Sequence, residues 1–200
     1  MSHFSVTVFC GSMPGRSPEY IAAARDLGAG LAAHDMRLVF GGGNVGLMGA
    51  LAAEAVGGGA HVTGIIPEFL RAREVEFEGL SELIVTDSMH TRKRRMFARA
   101  DAFVVLPGGL GTMDELIEVL TWKQLGQHAK PIILCDIEGW ARPVFGLIDH
   151  VIAHGFARPP VRQLLELVPD VPAVLGRLEA IRAGQSSASG SGLRSAVGNL

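Results

Sequence analysis

Cysteine is scarce in this chain. Cys10 and Cys135 are the two present among 200 residues, and neither sits in a Cys-x-x-Cys pair. A disulfide-stapled scaffold is therefore excluded. Each thiol ends an apolar run, so both are expected to be buried and reduced. Excess positive charge is also lacking. The formal net charge is -2 and the pI about 6.4, which argues against bulk electrostatic binding to nucleic acid. Long hydrophobic runs are missing too. The uncharged stretch Leu38–Ala53 is 16 residues long and Gly-rich, short of the roughly 18 needed to cross a bilayer. Met1 to Phe9 carries no basic leader, so the expectation is a soluble cytoplasmic protein with no membrane partner.

What is present suits one domain of 1–183 followed by a tail. Apolar residues reach 48%, enough to build a core. Glycine is over-used at 26 residues without a collagen-like period, so tight turns or close backbone approaches are needed somewhere. Short apolar runs alternate with helix-length periodic stretches. Strands are expected at Ser5–Cys10, Arg37–Phe40, His61–Ile66, Leu83–Thr86, Ala102–Leu106 and Pro131–Cys135. Their continuous apolar character is that of strands buried on both faces. Helices are expected at Pro18–Ala33, Val45–Val56, Met89–Ala100, Thr112–Leu125, Trp140–His154 and, more briefly, about Val171–Arg182. This β-α-β order predicts a Rossmann-like α/β sandwich of three layers, a mostly parallel sheet with helices on both faces. Such sheets bind ligands beyond the carboxyl ends of their strands. Residues 184–200 are rich in Gly and Ser and are expected to form a disordered tail.

Two glycine turns each follow a strand. Gly41-Gly42-Gly43-Asn44-Val45-Gly46 opens a helix and satisfies G-x-G-x-x-G, with Glu68 downstream as a candidate ribose-binding acid. Such a turn offers backbone amides and a helix dipole to an anion; the ordinary alternative is a turn that packs helix on strand. The second turn, Pro107-Gly108-Gly109-Leu110-Gly111-Thr112-Met113-Asp114-Glu115, adds a hydroxyl and a carboxylate. Glu115 is expected in the first helical turn, where an acid is unremarkable because it stabilises the helix start. A phosphate cradle beside a carboxylate also suits chemistry at a ribose. One dinucleotide site needs a single glycine turn, so the second turn counts against a nicotinamide-dependent dehydrogenase.

The densest charge lies between them, in Met89-His90-Thr91-Arg92-Lys93-Arg94-Arg95-Met96-Phe97. On a helix Arg92, Arg95 and Arg99 share one face and Met89, Lys93 and Met96 another, so the cations cannot all meet one ligand. Arg92, at the start, is best placed to reach the strand ends. Its guanidinium can bind a phosphate or fix a carboxylate.

Together these motifs strongly resemble the LONELY GUY family, cytokinin-activating nucleoside 5'-monophosphate phosphoribohydrolases, from about Phe4 to Val168. The combination of Pro-Gly-Gly-x-Gly-Thr-x-x-Glu at 107–115 with Met-His-x-Arg-Lys at 89–93 carries the resemblance. The resemblance implies a homodimer that removes the base from an N6-substituted adenosine monophosphate, without metal or organic cofactor. It implies Arg92 and Glu115 as the catalytic pair, and Gly109, Leu110, Gly111 and Thr112 at the phosphate, with Gly108 a substrate contact beside them. Further substrate contacts are implied at Ser12, Gly42, Gly43, Glu74, Met89, Lys93, Met113, Asp114 and Thr121. Trp122, beside Thr121, is expected near the dimer contact.

The alternative on the same fold is a non-catalytic nucleotide or molybdenum-cofactor carrier. Members of this family are often labelled lysine decarboxylases, but that reaction needs pyridoxal phosphate on a lysine. Lys93, Lys123 and Lys130 are the only lysines, and none has a suitable context. His150 and His154 share a helix face without the glutamate of a zinc-protease pattern, so surface or interface histidines are expected rather than a metal site.

Overall fold

A computed structural model describes residues 3–74 and 76–195, with the side chains of all of these except 72–74 and 186–195. Seven strands form one sheet: β1 Ser5–Phe9, β2 Arg37–Phe40, β3 Val62–Pro67, β4 Glu82–Thr86, β5 Ala102–Val105, β6 Ile132–Cys135 and β7 Glu166–Val168. Their order is β4-β3-β2-β1-β5-β6-β7 and every neighbouring pair is parallel. The helices are α1 Pro18–Ala33, α2 Gly46–Gly57, α3 Glu68–Glu74, α4 Met89–Arg99, α5 Leu110–Gln124, α6 Arg142–Ala153 and α7 Val171–Ser195.

This is the expected Rossmann-like sandwich. One face of the sheet packs against α1, α2 and α7, through Leu27, Leu51, Val174 and Leu178 among others. The other packs against α4, α5 and α6, through Met96, Leu116, Val119 and Phe145. Side chains alternate across β1 as strand geometry requires. Val6 and Val8 enter the first layer and Phe9 the second. Thr7 is buried because its hydroxyl donates to the Met96 carbonyl at 3.1 Å.

Two regular elements lack a sequence signal. β7 is a three-residue edge strand entered from a 3-10 turn at Pro159–Gln163, too short to show a period. α3 is a single charged segment of seven residues. At the other end, α7 continues to Ser195, past the position at which the sequence suggests the Gly/Ser tail begins. Residues 196–200 and the side chains of the preceding stretch lie outside the described residues. Among the described residues no helix is long and apolar enough to cross a membrane.

The strand order positions the site. From β1 the chain winds outward through β2, β3 and β4, then returns to place β5, β6 and β7 on the opposite side. β1 and β5 therefore border the point where the winding reverses, where the carboxyl ends of such sheets open a crevice. The return is made by α4, which packs across β4, β3, β2 and β1. That long crossover carries the basic segment beneath the middle of the sheet.

Candidate active site at the carboxyl ends of β1 and β5

α4 begins at Ser88, whose side chain accepts from the Thr91 amide at 3.2 Å. This cap starts the helix at Met89 and turns Arg92 inward. Arg92 is 5% exposed. Its Nε donates to the Ile65 carbonyl and its Nη2 to the Gly41 carbonyl, both at 3.0 Å. Carbonyl oxygens at the ends of β2 and β3 thus solvate the buried guanidinium. A Cβ on Gly41 would collide with Nη2 of Arg92, so glycine is required there for close approach and not for phosphate alone. Burial follows Arg92 and Met96, four residues apart; Arg95 is exposed, and Arg99 pairs with Glu82 at 3.3 Å.

The second glycine turn sits beside β1. The Gly11 amide donates to the Pro107 carbonyl at 3.0 Å, and a Cβ on Gly108 would meet the Thr112 side chain. α5 starts at Leu110, with Gly109 as its cap and no side chain bonded to its first amides. Those amides have no intrahelical acceptor and point, with the helix dipole, at the crevice. Because the helix starts earlier than the sequence suggests, Glu115 lies in the second turn, and the first turn holds no acid. Helix-end stabilisation fades within one turn, so it does not account for Glu115.

Arg92 and Glu115 line one cavity of about 150 Å³. Met89, Ser12, Gly109, Leu110, Gly111 and Thr112 share its wall. Cys10, Gly41 and Met48 line it as well. Gly41 opens the first glycine turn, whereas Cys10 and Met48 enter the wall through the placement of β1 between β2 and β5. Burial, reinforced by the nearby Glu115 charge, pushes the Cys10 thiol far up. Cys10 is therefore a neutral wall residue and not a nucleophile.

Other expected contacts lie elsewhere. Gly108 lines the adjacent chamber. Gly42 and Gly43 are buried; the Gly42 carbonyl accepts from the Phe77 amide at 3.1 Å, and Gly43 bridges to Glu76. Lys93 does not line the cavity: its Nζ lies 3.0 Å from Asp114 and 3.2 Å from Glu118. Met113 packs into the layer of α4, α5 and α6. Thr121 donates to the Ile117 carbonyl at 2.7 Å near the far end of α5. Trp122 meets the edge of Phe97 at 4.9 Å within the chain. The Glu74 side chain lies outside the described residues. Glu68, the candidate ribose acid, is on α3 and pairs with Arg71 at 3.2 Å. The rings of His150 and His154 lie 4.1 Å apart, tilted by 38°, on an exposed helix face, and among the described residues no cluster of three metal-ligating side chains occurs.

With this geometry in hand, known proteins give a consistent picture. A family model described as "Possible lysine decarboxylase" matches residues 48–178. A probable cytokinin riboside 5'-monophosphate phosphoribohydrolase of Oryza sativa subsp. japonica is 45% identical over 174 residues, 87% of this chain and 77% of that protein. A cytokinin riboside 5'-monophosphate phosphoribohydrolase of Arabidopsis thaliana is 41% identical over 174 residues, 87% of this chain and 82% of that one. The chain belongs to the LONELY GUY family. Among solved structures, the molybdenum cofactor carrier protein of Chlamydomonas reinhardtii superposes with a TM-score of 0.71 at 20% identity, covering 91% of this chain and 99% of that one. At that identity the shared property is the fold. The lysine decarboxylase description finds no support in this LONELY GUY site, since neither the cavity of Arg92 and Glu115 nor the adjacent chamber is lined by a lysine. Lys93 is held by two carboxylates, and Lys130 donates to the Phe97 carbonyl at 2.7 Å.

Proposed function

We propose that this protein hydrolyses the N-glycosidic bond of N6-substituted adenosine 5'-monophosphates, releasing the free base and ribose 5-phosphate. The observation that carries the reading is that Arg92 and Glu115 line the same cavity as the start of α5. The amides there take the 5'-phosphate, and that remote binding energy holds the anomeric carbon beside Glu115. As the C1'–N bond breaks, its electron pair leaves with the base and positive charge builds on the ribose. The Glu115 carboxylate stabilises that charge and accepts a proton from the attacking water. Hydroxide is delivered to C1', and the departing base takes up the proton. Arg92, fixed by two backbone carbonyls, orients the carboxylate or the substrate. Met89 supplies apolar wall to the base.

We also propose that the protein works as a cytoplasmic homodimer. Two buried free thiols suit a reducing compartment. α5 leaves Leu110, Ile117 and Leu125 exposed on the helix that carries Thr121, an apolar surface suited to a second copy. Sedimentation should show a dimer for the wild type and a monomer for Ile117→Glu.

The deciding experiment incubates purified protein with AMP and with N6-isopentenyladenosine monophosphate, and follows both products by chromatography. Faster release from the prenylated nucleotide is expected, with Glu115→Gln and Arg92→Ala folded and inactive. Release mainly from AMP keeps the chemistry and shifts the substrate. Nucleotide binding with no release favours the carrier alternative, and near-normal turnover by either variant removes the catalytic assignment.

A further inference from the structure

A second chamber, of about 310 Å³, adjoins the catalytic cavity and shares Gly11, Ser12 and Gly109 with it. We propose that this chamber binds a neutral planar heteroaromatic ring, of the class of the purine base released in the reaction; the choice of ligand rests on the proposed hydrolysis.

The walls carry the argument. Tyr20 enters from α1 on one face of the sheet, and Trp140 from the segment before α6 on the other. Met13, Pro14 and Leu47 complete an apolar lining. The Tyr20 ring lies against Gly15, where a Cβ would stand 2.5 Å from the ring and the φ is +74°. The Trp140 amide donates to the Ile137 carbonyl at 3.0 Å, and the next amide, of Ala141, donates to Asp136 at 2.9 Å. The backbone that carries Trp140 is therefore held before any ligand arrives, and the Tyr20 ring packs against Gly15. The volume reaches the range of small-molecule sites, roughly 300 Å³ and above.

Charge separates the two spaces. The catalytic cavity has Arg92 and Glu115 in its wall, whereas no charged side chain lines the chamber. Moving an anionic nucleotide into uncharged walls is costly, while a neutral base loses little and gains two aromatic partners. Gly109 caps α5 and borders both spaces, so a ring seated in the chamber leans on the loop assigned to the phosphate. The consequence is inhibition by free base that added substrate does not overcome.

The test uses Trp122→Phe, which leaves Trp140 as the only tryptophan of the original two. This protein is titrated with N6-isopentenyladenine, with and without saturating ribose 5-phosphate. The expected result is a saturable change in Trp140 emission that ribose 5-phosphate does not displace. Tyr20→Ala should weaken it by about tenfold, the size of one lost base–aromatic stack. The inhibition constant should rise in parallel while kcat/KM for AMP stays unchanged. Calorimetry of the wild-type protein with the same base checks the result without a variant. Absence of saturable binding by both methods overturns the proposal, as does displacement by ribose 5-phosphate or AMP. Base release from nucleotide without chamber binding sinks the chamber alone. Chamber binding without any base release sinks the hydrolysis and leaves the chamber.

Discussion

Nη2 of Arg92 and the carbonyl oxygen of Gly41 meet at 3.0 Å across a sequence separation of 51 residues. This bond ties the buried arginine of α4 to the end of β2, and it leaves no space for a side chain at position 41. Gly41→Ala should shift the guanidinium off the Glu115 side of the cavity. We expect kcat to fall by about 100-fold, the cost of a misplacement near 1 Å, with the far-UV spectrum unchanged. Normal turnover by this variant would show that Arg92 need not sit where the carbonyls hold it.

Lys93 and Asp114 join the two helices that carry Arg92 and Glu115. The Lys93 side chain is only 16% exposed and bonds Asp114 and Glu118 together. Burial by itself would lower the Lys93 pKa, but the hydrogen bonds and charges of those carboxylates outweigh it and raise it. Lys93→Met should cost about 1 kcal/mol of stability, the upper end for a partly exposed pair. Asp114→Asn should cost less in that background than in the wild type, as measured by urea denaturation. KM for AMP should change little. A large rise in KM with no stability change would instead make Lys93 a direct substrate contact.

His128 is expected to couple stability to acid pH. Its Nδ1 accepts from the Lys130 amide at 3.1 Å, so Nε2 carries the proton and donates to the Val119 carbonyl at 2.8 Å. The Lys130 bond needs the neutral ring, whereas the Val119 bond is kept when the ring is protonated. Burial lowers the pKa; the Val119 carbonyl opposes this, and Lys123 and Lys130 add to the lowering. The stability that His128 contributes is therefore present above its unfolded pKa of about 6.5 and lost as pH falls through the lower folded value. Tm measured between pH 7 and 5 should fall, and less so in His128→Gln. An identical pH slope in the two proteins would remove His128 as the cause.

The two thiols set an alkaline limit. Burial, with smaller help from Asp170 and Asp136, pushes Cys135 to about 12, and burial raises Cys10 as well. Both protonated forms are favoured in the fold, so their contribution is intact below the unfolded thiol pKa, about 8.5, and is lost as pH rises toward the folded values. Cys10→Ala and Cys135→Ala should flatten the decline of Tm above pH 9. Native protein should resist iodoacetamide at pH 8 and react once unfolded. Rapid alkylation of either thiol in folded protein would contradict their burial.

Much of the fold was legible because its signals are local. Continuous apolar runs marked six strands, five of them buried as expected, whereas β4 at the sheet edge leaves Val85 exposed for want of a covering neighbour; four-residue spacing marked Leu47, Leu51 and Ala55 as core. β7 escaped because three edge residues cannot display a period. Arg92 and Glu115 stood out by motif and chemical type. The start of α5 was placed two residues late because Leu110 and Gly111 read as loop, yet both are helical. Cys10 and Met48 gave no signal as site residues, since lining a cavity is a property of position.

The sequence by itself determined the order of elements, the glycine turns and the residue types available for chemistry, because periodicity and turn preference act over a few neighbouring residues. Tertiary structure alone decided that β1 lies between β2 and β5, that α4 crosses beneath the sheet, and that Lys93 faces carboxylates. Those outcomes depend on layers burying their apolar faces against partners distant in the chain. The bonds of Arg92 to Ile65 and Gly41, 27 and 51 residues away, exist only after that packing is complete.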